Sequence, residues 1–190
     1  MWTIECTRFI NTLGFNYKAK AMKNLITIIY LGIIATAAFA QTKPCSSPEA
    51  SQFDFWVGNW DLTWNDTMKG SNNITKIMGG CAVHEQFNDP KNNGQGESWS
   101  MYNPQKGKWQ QTWIDNSGNY MLFEGGMKNG NMELSFDKPG KDGKTTIMSM
   151  LYYNITANEF DWDWRSSNDN GKTWTSKWKI HYKRKKEETK

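Results

Sequence analysis

Residues 51–64 read SQFDFWVGNWDLTW, and the reading of this stretch decides the fold. It opens a run of strands at Gly58-Asn59-Trp60. The far end of the chain, residues 167–184, closes that run with a Trp-rich strand ending Tyr182-Lys183-Arg184. The pairing of Gly58-x-Trp60 on the first strand with Arg184 at the end of the last has a physical sense. A guanidinium stacked over an indole staples first strand to last. Gly58, Trp60 and Arg184 are therefore expected to be structural, sealing one end of a barrel with a ligand-sized interior.

Between those ends, runs rich in Trp, Tyr, Phe, Ile and Thr alternate with Gly/Asn/Asp/Lys clusters. Ten strands are expected, at 54–64, 73–78, 81–88, 96–102, 108–115, 119–125, 131–137, 145–154, 159–166 and 173–184. A Ser46-Ser47-Pro48-Glu49 start, with a capping serine and proline at the first helical position, predicts one short helix through Ser51. Short turns such as Pro104-Gln105-Lys106-Gly107 and Lys128-Asn129-Gly130 imply antiparallel neighbours. The expected fold is all-β: a single antiparallel up-and-down barrel, closed because closure removes exposed strand edges. Period-2 alternation assigns the faces. Trp109, Gln111, Trp113 and Asp115 share one face, as do Phe160, Trp162 and Trp164. Trp174, Trp178, Ile180, Tyr182 and Arg184 share another. The aromatic faces are expected to point inward.

Not all of the chain is expected in that barrel. Residues 22–40, MKNLITIIYLGIIATAAFA, are built like a secretory signal peptide. Lys23 supplies the charge, an apolar run follows, and Ala38-Phe39-Ala40 makes a small-x-small cleavage site. Residues 1–21 precede a complete signal, and read as a start assigned too early or as a long n-region. The leader is thus 1–40 and the barrel domain 41–190, with export to the periplasm or beyond and no stable membrane anchor after cleavage. Setting aside Arg8, Lys18, Lys20, Lys23 and Glu5 leaves 19 basic and 18 acidic residues, a net charge of +1. That balance gives no case for nucleic acid. Cys45 and Cys81 remain, an even pair in an exported chain: a disulfide or two free thiols.

The pattern Ser167-x-Asp169-x-Gly171-x-Thr173-Trp174 resembles the Asp-box hairpin of sialidases and other secreted β-proteins. Asp169 is expected to cap turn amides, Gly171 to take a positive φ, and Trp174 to pack under the hairpin. This describes a turn, not a glycosidase. The row Trp109-x-Gln111-x-Trp113-x-Asp115 is either a polar-aromatic wall for a ligand or core with Asp115 capping the next turn. Trp99, Trp162 and Trp164 are candidates to extend that wall. Glu85, on the face of Cys81, Val83 and Phe87, is either an interior hydrogen-bonding carboxylate or the sign of a shifted register, and Glu124 raises the same question; a pair of inward carboxylates could do acid–base work. His84 and His181 alternate with the apolar faces and look outward, which disfavours haem. No metal motif, triad or phosphate loop is present in the sequence, and no cofactor is expected.

Several pieces taken together, FDFWVGNWDLTW, Gly79-Gly80-Cys81, YNPQKGKWQQTWID, Phe123-Glu124-Gly125 and the DNGKTW…Tyr182-x-Arg184 ending, resemble a family of exported lipocalin-like bacterial proteins. That family is a domain of unknown function among the calycin-type barrels, which include lipocalins, fatty-acid-binding proteins and the haem-binding nitrobindins. The resemblance covers roughly residues 53–184. It implies a barrel and a small hydrophobic or amphiphilic ligand; the residue pattern itself adds an aromatic ligand as an option and offers Trp109, Gln111, Trp113, Asp115, Glu85 and Glu124 as candidate contacts. The alternatives are a barrel enzyme (an isomerase, lyase or hydrolase) that uses Glu85, Glu124 or Asp115 as a base, and a haem protein of the nitrobindin kind.

Overall fold

The computed structural model describes residues 44–141 and 143–186. The leader expected at 1–40 lies outside the described residues. The ten strands are β1 (Gly58–Trp64), β2 (Met68–Ile77), β3 (Ala82–Asp89), β4 (Gly94–Asn103), β5 (Lys108–Asp115), β6 (Tyr120–Lys128), β7 (Asn131–Pro139), β8 (Thr145–Tyr153), β9 (Glu159–Ser167) and β10 (Thr175–Arg184). Each pairs antiparallel with its sequence neighbour, and β1 pairs with β10 to close the barrel. Trp60 faces Arg184 and Thr63 faces His181 across that seam. Closure leaves no edge strand to template aggregation.

Before β1 the arm makes two short 3₁₀ turns, Pro48–Ser51 and Asp54–Trp56. Ser47 caps the first through its side chain, with Pro48 just inside it, as the sequence implied. The second occupies residues expected to be strand. The reason is packing: the turn places Phe53 and Trp56 on one side, and both are fully buried against the barrel interior. The chain enters β1 at Gly58, whose φ is +137°. A Cβ there would lie 2.1 Å from Arg184 Nη1, so glycine is required for the close approach of the arginine.

Arg184 sits with its guanidinium carbon 4.2 Å above the Trp60 ring. It donates to the Phe55, Val57 and Ala157 carbonyls at 2.8–3.2 Å. The staple therefore ties three chain segments, the arm, the β8–β9 turn and the end of β10. A disulfide joins Cys45 to Cys81, with Cα atoms 5.1 Å apart.

Besides β1, two strands depart from their expected form. β2 begins at Met68, five residues before the expected start, and forms a tight hairpin with β1 around Asn65 and Asp66, both at positive φ. The polar run Lys69-Gly70-Ser71 resembles a loop in sequence, yet its ladder bonds to β1 and β3 make it strand. In β10 the register shifts between Ser176 and Trp178. This bulge reverses the faces. Trp178, Ile180 and Tyr182 point inward, but Trp174 lies on the outer wall, where the Arg165 guanidinium covers it at 4.2 Å. The expectation that Trp174 shares the inner face of Trp178 is thus corrected.

The 167–174 hairpin has the expected Asp-box bonding. Asp169 accepts from the Thr173 amide and hydroxyl and from Ser167 Oγ, and Gly171 adopts φ +81°. Those donors hold the Asp169 carboxyl down at about 2.

Candidate functional site

The two ends of the barrel differ. Where β1 begins and β10 ends, Phe53 and Trp56 plug the floor. Phe53 meets Trp109 edge-on at 4.8 Å, and Trp56 meets Tyr152 at 5.4 Å. Above this floor lies a cavity of about 160 Å³. That is close to the roughly 150 Å³ of an engineered apolar cavity known to take benzene. The space therefore suits a molecule of about one ring.

Its walls include Trp113 from β5, Trp162 and Trp164 from β9, and Trp178 from β10. The rings meet edge to face. Trp162 and Trp178 are 5.7 Å apart at 86°, and Phe87 stands at 88° to Trp178. Such rings form a cage rather than a stack. Gly96 on β4 makes room for one wall, since a Cβ there would lie 2.2 Å from the Trp113 indole.

Into this aromatic space points one deep carboxylate, Glu85 of β3, 6% exposed. Asn72 of β2 donates to it at 2.7 Å and Ser98 of β4 at 2.6 Å. Gln111 of β5 donates in turn to Ser98 at 2.8 Å, and Asn72 reaches the Tyr182 hydroxyl at 3.3 Å. Burial pushes the Glu85 carboxyl up to about 7, against the opposing effect of the Ser98 and Asn72 bonds and the His84 charge. The hydroxyls of Tyr152 and Tyr182 are pushed above their ordinary value by burial and by the neighbouring Glu85, so both stay protonated donors.

This raised pKa has a consequence for stability. The folded state holds the Glu85 proton more tightly than the unfolded chain does. Its contribution is complete below the ordinary value of 4.5 and is lost as pH rises through about 7. A shift of that size corresponds to about 3 kcal/mol. Glu85→Gln is expected to remove this fall, so the variant gains on the wild type between pH 5 and pH 8 in urea titrations. Parallel curves for the two proteins would show that Glu85 does not carry the shift.

The other candidate residues separate. Asp115 lies on the cavity at its upper end and also caps the β5–β6 turn. It accepts from Trp113 Nε1 at 3.0 Å, from the Ser117 amide and from Asn119. Partial burial works against its charge, but the bonds from Trp113, Asn119 and Ser117 outweigh it and keep the carboxyl below its usual range. Both readings of this residue, wall and cap, therefore hold at once. Gln111 is buried behind Ser98 rather than on the cavity surface, and Trp109 belongs to the floor, donating to the Glu49 carbonyl at 3.1 Å. Glu124 is outside: it pairs with Lys106 and accepts from Gln110 at 2.7 Å on the outer wall. Trp99 is outside too, 37% exposed and stacked on His84 at 5.1 Å.

His84 bonds Glu97 at 2.8 Å and His181 bonds Asp161 at 2.9 Å, both on the outer wall. A proximal haem ligand has to point into a pocket, and neither ring does. Sequence reasoning missed Asn72, Ser98, Tyr152 and Tyr182 as the groups around Glu85. The signal lay in β4, where Ser98 and Ser100 alternate with Trp99 and Met101. Small polar residues there face inward because the neighbouring strands fill the space with Glu85 and Gln111. The chain matches no protein-family model and no curated protein.

Proposed function

We propose that the protein is an exported binding barrel, of lipocalin-like kind, that holds a small aromatic or amphiphilic molecule in its interior. The observation that carries this is the one-ring cavity walled by four tryptophans with a single hydrogen-bonded carboxylate at depth. Sites of this composition, mostly apolar with a few convergent polar groups, are those that bind small molecules. The signal-like leader and the Cys45–Cys81 bridge support export, since disulfides persist in oxidising compartments.

Trp113→Ala tests the reading. Trp113 is only partly buried and lines the cavity, so its loss is expected to weaken ligand binding by at least about tenfold, the effect of roughly 1.4 kcal/mol of lost contact, and to lower stability by less than that. Calorimetric titration with one-ring aromatic compounds, beside a urea melt of the same variant, reads both quantities. Equal loss in both would make Trp113 core and nothing more.

A second reading is favoured by the Glu85 carboxyl itself. A general base works best with a pKa near the operating pH, and burial brings Glu85 to about 7 beside the protonated Tyr182. In an isomerase, lyase or hydrolase of this barrel, Glu85 would move the proton and a tyrosine hydroxyl would donate a hydrogen bond to the negative charge developing on the substrate. Asp115 is saturated by its turn donors and Glu124 is outside, so the enzyme reading rests on Glu85 alone.

A further inference from the structure

Resting on that binding reading, we infer that the ligand is an organic cation: a protonated amine or quaternary ammonium group carried on a small apolar body, held by Glu85 within the tryptophan cage. Three observations converge on charge sign. Among the described residues, the cavity wall contains two carboxylates, Glu85 and Asp115, and no lysine, arginine or histidine. An anionic ligand would meet the repulsion of both carboxylates there, with the Tyr152 and Tyr182 hydroxyls as uncharged donors. The aromatic wall includes Trp113, Trp162, Trp164 and Trp178, and tryptophan is the side chain whose π system attracts cations most strongly. Finally, Glu85 is a buried carboxylate whose partners are all neutral: Asn72 from β2 and Ser98 from β4, with Gln111 of β5 behind Ser98 and the Tyr152 and Tyr182 hydroxyls facing from β8 and β10.

Buried charges are ordinarily paired. The nearest basic side chain, His84, is the next residue on β3 and points outward to Glu97. Burial disfavours the charged form of Glu85 while its donors favour it, and among the described residues no cation lines the cavity to complete the pair. A ligand ammonium does so, and the surrounding rings take up its apolar face. Binding then expels the Glu85 proton, because the cation favours the carboxylate. The cavity volume limits the ligand to about one ring.

Three probes of equal size and different charge test this: benzylammonium, benzyl alcohol and benzoate, each titrated calorimetrically into the whole protein. Benzylammonium is expected to bind at least tenfold more tightly than benzyl alcohol, with benzoate the weakest. Its affinity is expected to rise roughly tenfold from pH 6 to pH 8, as Glu85 ionises across about 7 while the ammonium keeps its charge. Glu85→Gln, which keeps the shape and removes the charge, is expected to abolish both the preference and the pH slope. Alcohol or benzoate binding as tightly as the ammonium overturns the cation inference and leaves the binding reading standing. A preference that survives Glu85→Gln overturns the assignment to Glu85. Failure of all three probes to bind overturns the binding reading as well.

Discussion

Trp60→Ala is expected to lower the unfolding free energy by about 3–5 kcal/mol, the range for emptying a buried tryptophan site. Trp60 has no exposed surface and packs edge-on to Phe160 at 4.9 Å. Its Nε1 donates to the Trp56 carbonyl at 2.7 Å, which orients the plug turn. Arg184 lies over its ring. One substitution therefore removes a large apolar contact, orphans a buried carbonyl and strips the arginine of its platform. Rigid surroundings prevent the site from collapsing, since β1 is paired on both sides. Arg184→Lys is the informative companion. It keeps the charge but loses the fork that reaches three carbonyls on different segments. Urea melts of both variants check the account. A midpoint for Trp60→Ala close to the wild type would show that the barrel closes without its staple.

Cutting the Cys45–Cys81 bridge comes next in size. The bridge spans 36 residues, and a loop of that length corresponds to about 4 kcal/mol in the chain-entropy treatment. It ties the arm carrying Phe53 and Trp56 to the turn between β2 and β3. The double substitution Cys45→Ser with Cys81→Ser, and reduction of the wild type by dithiothreitol, are expected to shift the urea midpoint downward by the same amount. Reductant without effect on the wild type would show that the thiols do not pair in solution. Because the arm forms the cavity floor, loss of the bridge is also expected to raise amide exchange at Phe53–Trp56 before the strands are affected.

Most of the barrel was legible because strands advertise themselves by period. Ten runs of aromatic and β-branched residues, punctuated by turn residues, fix number and order. The β1–β10 closure follows from Gly58, Trp60 and Arg184. The errors have local physical causes. Asp54–Trp56 has strand-like composition, and only the tertiary demand to plug the barrel turns it into a 3₁₀ turn. β2 carries little apolar residue at its start, so its pattern is silent there. The bulge at Lys177 inverts the face of Trp174, and a period of two carries no warning of a one-residue insertion. The site was half legible. Trp113 shows as an indole on an aromatic face, and Glu85 as a carboxylate on an apolar face of β3 whose direction the sequence leaves open. Glu124 and Trp99 mislead because β4 and β6 place apolar residues outside, with Leu122 56% exposed. Faces in such strands are set by the neighbours across the barrel, which single-strand alternation does not contain.

Whether the interior holds one small organic molecule is read by native mass spectrometry of the purified protein with benzylammonium. A one-to-one adduct is expected, and in Glu85→Gln, which remains folded, it falls to the level seen with benzyl alcohol. An unaltered mass at concentrations where the panel saturates ordinary weak sites, with benzylammonium, benzyl alcohol and benzoate alike, would contradict the binding reading.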